Sequence, residues 1–172
     1  MWHRLHSNKR GFTLIEIMIG MAIVMILTGI AIPSLSEALE NAEVASLEQQ
    51  LQRARTGIDF YTFQHEDQYP GLDASGAAGW SASTFREQLL LATDEEGNTA
   101  AAGTEGYFYG PYLAESFPRN PFSNLTSVHL VQPGTNFSQP NNTTGWVYWA
   151  DTGVIRANTS GTTPDGMPLF DL

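Results

Sequence analysis

The first pattern along the chain is one long apolar run without a charged side chain. It covers residues 17–36, with the sequence IMIGMAIVMILTGIAIPSLS. A helix of about 20 residues rises about 30 Å, which is the thickness of the hydrocarbon layer of a bilayer. Arg4, Lys9 and Arg10 precede the run, and acidic residues follow it from Glu37 onward. Because basic flanks stay on the cytoplasmic side, the pattern predicts one membrane span with a cytoplasmic N-terminus.

A helical period continues after this run. Apolar residues recur there with alternating spacings of four and three, at Leu47, Leu51, Ala54, Ile58 and Tyr61. Such spacing forms a single stripe along a helix. The stripe is too short to favour a coiled coil, so we expect it to pack on the chain's own sheet. We therefore predict one helix from about residue 12 to about residue 65, with Pro33 as the point where it can bend.

The second half of the chain has the pattern of short strands and turns. The predicted strands are Val128–Val131, Trp146–Ala150 and Val154–Ala157, with a turn at Asp151–Gly153. The alternating aromatic residues of the middle strand suit a half-buried sheet, or alternatively an aromatic platform for a ligand. A short helix is predicted at Thr84–Ala92, capped by Ser83 or Thr84, and residues 94–106 are expected to form a loop. The predicted fold class is therefore α+β, with a long N-terminal helix packed on a small antiparallel sheet.

Composition excludes several classes of function. The chain has no cysteine, which excludes disulfide bonds and zinc–thiolate sites. The formal net charge is -10, and no lysine follows Lys9. Nucleic-acid binding requires clustered lysine and arginine, so we do not expect it of the isolated protein. Neither G-x-S-x-G nor H-x-x-x-H occurs, and the scattered histidines suggest no catalytic set, so we expect a protein without enzyme activity.

Glu16 is the exception in the apolar part of the chain, because it places a carboxylate at the head of the run. Such a group costs about 2.5–3.5 kcal/mol near the centre of a bilayer. A cleaved secretory signal is disfavoured, since its apolar segment is shorter, about 7–15 residues, and ends at small residues. A plain membrane anchor has no use for the carboxylate. A subunit that packs against copies of itself can pair it with a free amine created by cleavage upstream.

The residues around this carboxylate carry a family resemblance. Lys9-Arg10-Gly11-Phe12-Thr13-Leu14-Ile15-Glu16 resembles the leader junction of type IV prepilins and pseudopilins. The resemblance implies that a prepilin peptidase cuts after Gly11 and methylates the new N-terminal residue, Phe12. It also implies that Glu16 is the assembly glutamate. In a staggered helical array, the Phe12 amine of one subunit would pair with the Glu16 carboxylate of its neighbour.

Three further residues of the apolar run affect the backbone of the predicted helix. Gly20 and Gly29 allow close approach of helices, or local melting of the helix together with Pro33. The alternative is that these glycines are ordinary residues of a membrane helix, where glycine is frequent. Pro33 falls where the helices of this family are similar to one another in carrying a proline.

Later segments resemble the major pseudopilins of type II secretion systems. They are Tyr69-Pro70 after the helix, Gly110-Pro111-Tyr112-Leu113, and a proline-rich turn at residues 117–122. The resemblance implies four regions: a leader at 1–11, a transmembrane and assembly half-helix at 12–36, an amphipathic half-helix at 37–68, and a head at 69–172. The function it implies is that of a subunit of the periplasmic pseudopilus. A type IV pilus pilin for adhesion, motility or DNA uptake is the alternative, and a membrane-anchored binding domain that never polymerises is an alternative of another class.

The same resemblance implies the location and the partners. We expect a single-pass protein of the bacterial inner membrane, with its head in the periplasm, which later enters a pseudopilus or an extracellular pilus. The expected partners are further copies of the chain, the prepilin peptidase, an inner-membrane assembly platform, and minor pilins or pseudopilins.

The polar C-terminal tail is the one candidate for metal chemistry. Asp151, Asp165 and Asp171 offer hard oxygen ligands, and Gly166 follows one of them, as suits a calcium loop. Major pseudopilins bind calcium in a C-terminal loop, where many pilins have a disulfide bond. This chain departs from the full acidic pattern of that loop, so a solvated polar tail is the alternative to a calcium site.

Overall fold

A computed structural model describes residues 11–74 and 79–172, and for residues 30–34 it describes the backbone alone. Leader residues 1–10 and the Pro33 side chain, on which some of the predictions above fall, lie outside the described residues. The chain divides into two compact units, Met1–Leu39 and Glu40–Leu172.

The longest element is helix α1, Leu14–Gln64, which confirms the predicted long N-terminal helix. Its C-terminus is closed by local hydrogen bonding. Glu66 and Asp67 adopt left-handed backbone conformations, and the Asp67 N–H donates to the Thr62 carbonyl at 3.0 Å. A bond of this span satisfies a carbonyl that the last helical turn leaves free.

The membrane span predicted for residues 12–36 lies in α1 from Leu14 onward. Among the residues that the structure describes, no helix combines the length and the apolar character needed to cross a membrane.

The second half of α1 packs as its apolar stripe predicts. The five stripe residues are all buried, and Leu47 and Ala54 have no exposed surface. They share one hydrophobic core with the sheet residues Trp146, Tyr148 and Ile155. Burial of this stripe supplies the main apolar contact between helix and sheet.

Helix α2, Ala82–Leu90, starts earlier than predicted, and the prediction that Ser83 or Thr84 caps it is wrong. Ser81 is the cap, and its hydroxyl accepts a hydrogen bond from the Thr84 N–H at 3.1 Å. The run Ser-Ala-Ser-Thr at residues 81–84 offers three hydroxyl groups. Ser81 is the one that can cap the helix, because its backbone is extended and its hydroxyl reaches the free N–H three residues later. The helix also ends earlier than predicted, at Leu90, because Ala92 belongs to strand β1, Ala92–Thr93. This strand pairs antiparallel with β2, Thr99–Ala100, which lies within the loop expected at 94–106.

The main sheet contains β3, Val128–Val131, β4, Trp146–Trp149, and β5, Ile155–Ala157. The α+β class is confirmed, but the sheet is mixed and not wholly antiparallel. Strands β4 and β5 pair antiparallel across the predicted turn, whereas β3 and β4 run parallel with Val128 opposite Trp146. The connection over residues 132–145 is long enough for a parallel crossover, which needs about a dozen residues. A short 3₁₀ helix, Leu169–Asp171, ends the chain.

Candidate processing and assembly site

The bond between Gly11 and Phe12 lies in non-helical backbone directly before α1. Both residues are exposed, and 84% of the Phe12 surface is open to solvent. Apart from its two chain neighbours, no described atom lies within 4 Å of where a Cβ at Gly11 would stand. A peptidase needs access to the backbone, and this exposed, non-helical bond offers it.

Thr13 and Glu16 form a reciprocal cap at the N-terminus of α1. The Thr13 N–H and hydroxyl donate to the same Glu16 carboxylate oxygen, at 2.8 and 2.7 Å. In return the Glu16 N–H lies 3.3 Å from the Thr13 hydroxyl oxygen. This is a capping box, in which two otherwise free backbone donors of the first turn are satisfied. The Thr-x-x-Glu spacing before an apolar run is the sequence signal of this capping box. The charge of Glu16, on which the sequence prediction rests, indicates a role in assembly instead.

The first half of α1 is apolar on every side. All described side chains from residue 14 to residue 29 are exposed, and Leu14, Met25 and Ile26 each expose more than 65% of their surface. None of these residues belongs to a hydrophobic core cluster of the described chain. A helix that is hydrophobic all round requires an apolar environment, either a membrane or other copies of the same helix.

Gly20 and Gly29 lie on this exposed surface. A Cβ added at either position would meet no atom within 4 Å outside the helix itself. The described chain therefore contains no close helix contact at these glycines. Their role in flexibility or helix approach, and that of Pro33, stays a prediction.

The three aspartates proposed for calcium do not come together as a metal site. Within the described residues, no group of three or more carboxylates or histidines is arranged to hold a metal ion. Asp151 and Asp165 are exposed, and Asp171 binds the Arg156 guanidinium at 2.9 Å. The arrangement of these side chains therefore gives the calcium prediction no support: the three aspartates do not form a ligand group, and the Asp171 carboxylate already has a cationic partner.

A buried asparagine, Asn120, holds the loops beside the sheet together, a role that was not predicted from the sequence. Asn120 has no exposed surface; its amide donates to the Gly145 carbonyl and the Thr159 hydroxyl, both at 2.8 Å. Its side-chain oxygen accepts from the N–H groups of Phe122 and Ser123. Asn120 precedes a proline, a pairing typical of turns, which is the only signal that the sequence offers.

The Tyr-Pro and Gly-Pro-Tyr-Leu segments are both built into the second unit. The Tyr69 ring contacts Gly153 in the turn between β4 and β5, where φ is +69° and a Cβ would overlap the ring. The Tyr112 hydroxyl donates to the Gln64 side chain at 2.7 Å, near the end of α1. These segments therefore join the end of α1 to the body of the head.

Comparison with known families identifies the N-terminal segment. Residues 6–32 match the family model of the prokaryotic N-terminal methylation motif. The match confirms the predicted type IV pilin-like prepilin signal, and such a signal implies processing by a prepilin peptidase and polymerisation in general. Comparison with curated proteins and with solved structures gave no match.

Proposed function

We propose that this chain is the precursor of a structural subunit of a type IV-like filament. The observation that carries the proposal is the methylation motif over residues 6–32, whose Gly11–Phe12 bond is exposed and lies just before the first helical turn. Cleavage there releases the basic leader and creates the Phe12 amine. The product is a subunit with no enzymatic role, built to pack through its apolar half-helix.

The apolar half of α1 is proposed to serve first as a membrane anchor and then as the core of the filament. Its exposed surface is apolar on all sides, which suits both environments. Basic residues of the leader favour a cytoplasmic N-terminus, so the head reaches the periplasm. In the filament, the Phe12 amine of one subunit replaces Thr13 as the partner of a neighbour's Glu16, and both charges are neutralised in a medium of low dielectric constant.

Within this class we propose a major-type pseudopilin of a type II secretion system. The absence of cysteine supports this choice, as do two of the three segments that resemble those of pseudopilins, Tyr69-Pro70 and Gly110-Pro111-Tyr112-Leu113. Both segments make contacts that hold the head together, at Gly153 and at Gln64, as expected of segments that define a head type. The corresponding partners are an inner-membrane assembly platform and minor pseudopilins, and a surface pilin is the alternative to be tested.

Intact-mass and N-terminal analysis tests the proposal on protein extracted from membranes of cells with and without a prepilin peptidase. We expect a species that begins at Phe12 and carries one added methyl group, present only with the peptidase. A chain that keeps residues 1–11 beside an active peptidase would overturn the precursor and leave an anchored domain that does not polymerise. Electron microscopy of the processed protein then separates short periplasmic filaments from surface pili.

A further inference from the structure

Two phenylalanines on α1 lie exposed on the side away from the core. Phe60 exposes 59% of its surface and Phe63 exposes 83%. Thr56 and Asp59 lie beside them on the helix face opposite the buried stripe. Asp59 has no ion-pair partner in the described part of the chain. We call Phe60 and Phe63 the phenylalanine ridge, an apolar feature that the rest of the head leaves uncovered.

An open aromatic groove lies on the far face of the sheet. Side chains of a strand alternate between faces, so Val147 and Trp149 point away from the core that holds Trp146 and Tyr148. Trp149 lies 6.1 Å from Phe170 between ring centres, and Phe137 lies 6.2 Å from both rings. We call these three rings the aromatic groove; they line a cavity of about 320 Å³, together with Val154 and Arg156.

The groove offers aromatic surface and positive charge to a phenyl ring with an acidic neighbour. A phenylalanine ring can pack against the three rings that line the groove. The Arg156 guanidinium stands over the Phe170 ring at 5.4 Å and over the Trp149 ring at 5.9 Å, at the edge of the cavity. Its side chain is 38% exposed and can therefore meet a second carboxylate besides Asp171.

We propose that the phenylalanine ridge of one copy inserts into the aromatic groove of the next copy. The two surfaces are complementary in chemistry, since aromatic rings meet aromatic rings and Asp59 approaches Arg156. A contact of ridge with ridge would place two Asp59 carboxylates together, so a symmetric pair is disfavoured. The inference rests on the proposed polymerisation and adds the contact between heads that accompanies it.

The position of the two surfaces gives the contact a direction. The ridge lies on the outer side of α1 and the groove on the outer side of the sheet, so they occupy opposite faces of the second unit. A contact between different surfaces repeats from copy to copy and generates an open helical array unless it closes into a ring. The geometry therefore fits a filament of indefinite length and not a closed dimer.

Disulfide cross-linking tests this contact, because the chain has no cysteine of its own. The test chain carries both Phe63→Cys and Val154→Cys, where Val154 is 42% exposed at the groove. We expect mild oxidation of assembled filaments to give a ladder of covalent multimers. A mixture of the two single variants should stop at dimers, since each chain then holds one thiol. The matched control pairs Val154→Cys with Phe108→Cys, which is 81% exposed outside the ridge, and should stay monomeric.

The outcomes separate the contact from the proposed function. Filaments of the double variant that give no ladder, or a Phe63→Cys variant that forms dimers alone, would overturn the contact while the filament proposal stands. Processed parent protein that never forms filaments would overturn the filament proposal instead. Should the double variant fail to assemble, Phe63→Ser and Phe108→Ser decide the matter. We expect about a tenfold rise in the protein concentration needed for filaments with Phe63→Ser and no change with Phe108→Ser; equal effects would contradict the contact.

Discussion

The two units of this protein use apolar side chains in opposite ways. In the first unit, Leu14 and Leu27 expose 77% and 61% of their surface. In the second, Leu47 and Leu51 expose 0% and 1%, although they belong to the same helix. The second unit covers its apolar groups with its own sheet and loops. The first unit has apolar groups but no covering element within the described chain.

This difference indicates where the free energy of each unit comes from. The second unit gains the free energy of burial when a single chain folds. The first unit gains it only when a membrane or another copy covers the helix, so its burial free energy is available for insertion and assembly. Substitutions in the two units should therefore affect different measurements, which the predictions below exploit.

The largest effect is expected at Glu16, where charge and capping can be separated. Glu16→Gln keeps a side-chain acceptor at the third helical position, so the cap survives while the charge is lost. We expect filaments to disappear, with membrane insertion and cleavage retained. Thr13→Ala removes the cap at a cost of about 1 kcal/mol but keeps the charge, so assembly should fall less. Counts of filaments by electron microscopy measure both. If Thr13→Ala abolished assembly and Glu16→Gln did not, capping and not charge would be the role of this carboxylate.

A matched pair of leucine substitutions tests the comparison directly. Leu51→Ala should lower the free energy of unfolding of the head by about 2–5 kcal/mol, because it opens a cavity in the core. Leu27→Ala removes the same atoms from an exposed position and should leave unfolding of the head unchanged. Tryptophan fluorescence during denaturant unfolding in detergent micelles measures both variants, because the buried Trp146 lies in the core of the head. Equal losses would show that the first unit contributes to the stability of the head.

The sequence predicts the features that depend on periodicity or on a short motif. The stripe from Leu47 to Tyr61, the β4–β5 hairpin and the prepilin signal were all predicted from local residues, and the structure or the family comparison bears them out. The parallel pairing of β3 with β4 was not, because pairing partners depend on where a long connection returns. The bonding of Asn120 depends on four groups that lie far apart along the chain or come from its own turn, so its residue type alone does not reveal it.

Replacement of Asn120 tests whether this polar network stabilises the head. Asn120→Ala removes four hydrogen bonds: the partly buried N–H groups of Phe122 and Ser123 lose their acceptor, and the Thr159 hydroxyl and the Gly145 carbonyl lose a donor, although the carbonyl keeps the Asn158 N–H. We expect a loss of about 2–3 kcal/mol in the free energy of unfolding. Asn136→Ala, at an exposed position in a polar loop, is the matched control and should change little. A small effect at Asn120 would mean that water replaces the lost bonds.

A smaller effect of opposite sign is expected at Tyr148. Its hydroxyl is buried and has no hydrogen-bond partner within the described residues, so Tyr148→Phe should stabilise the head by about 1 kcal/mol. Burial also raises the pKa of Tyr148 above its usual value. The unfolded chain loses the phenol proton near pH 10, whereas the folded chain keeps it, so stability falls as the pH rises above about 10.

Tyr148→Phe also separates the two buried phenols that contribute to the loss of stability at high pH, Tyr148 and Tyr61. Burial raises the pKa of Tyr61 as well, so its contribution to the alkaline loss of stability remains in Tyr148→Phe. Denaturant unfolding between neutral and alkaline pH should show a shallower loss for the variant, by up to about 1.4 kcal/mol per pH unit. An unchanged slope would mean that Tyr148 ionises in the folded head.

The smallest effect is expected at the exposed ion pair of Arg156 with Asp171, which also decides the calcium prediction. Exposed pairs contribute about 0–1 kcal/mol, so Asp171→Asn should destabilise the head by no more than that, and Asp165→Asn by less.

Thermal unfolding with calcium and with a chelator tests whether Asp171 binds the metal. If Asp171 binds calcium, the metal stabilises the parent chain by an amount that grows with the logarithm of its concentration once this exceeds the dissociation constant, and Asp171→Asn removes the gain. If Asp171 pairs with Arg156 alone, calcium leaves the thermal stability of both chains unchanged. We expect this second result, because the Asp171 carboxylate would have to leave the Arg156 guanidinium in order to bind a calcium ion.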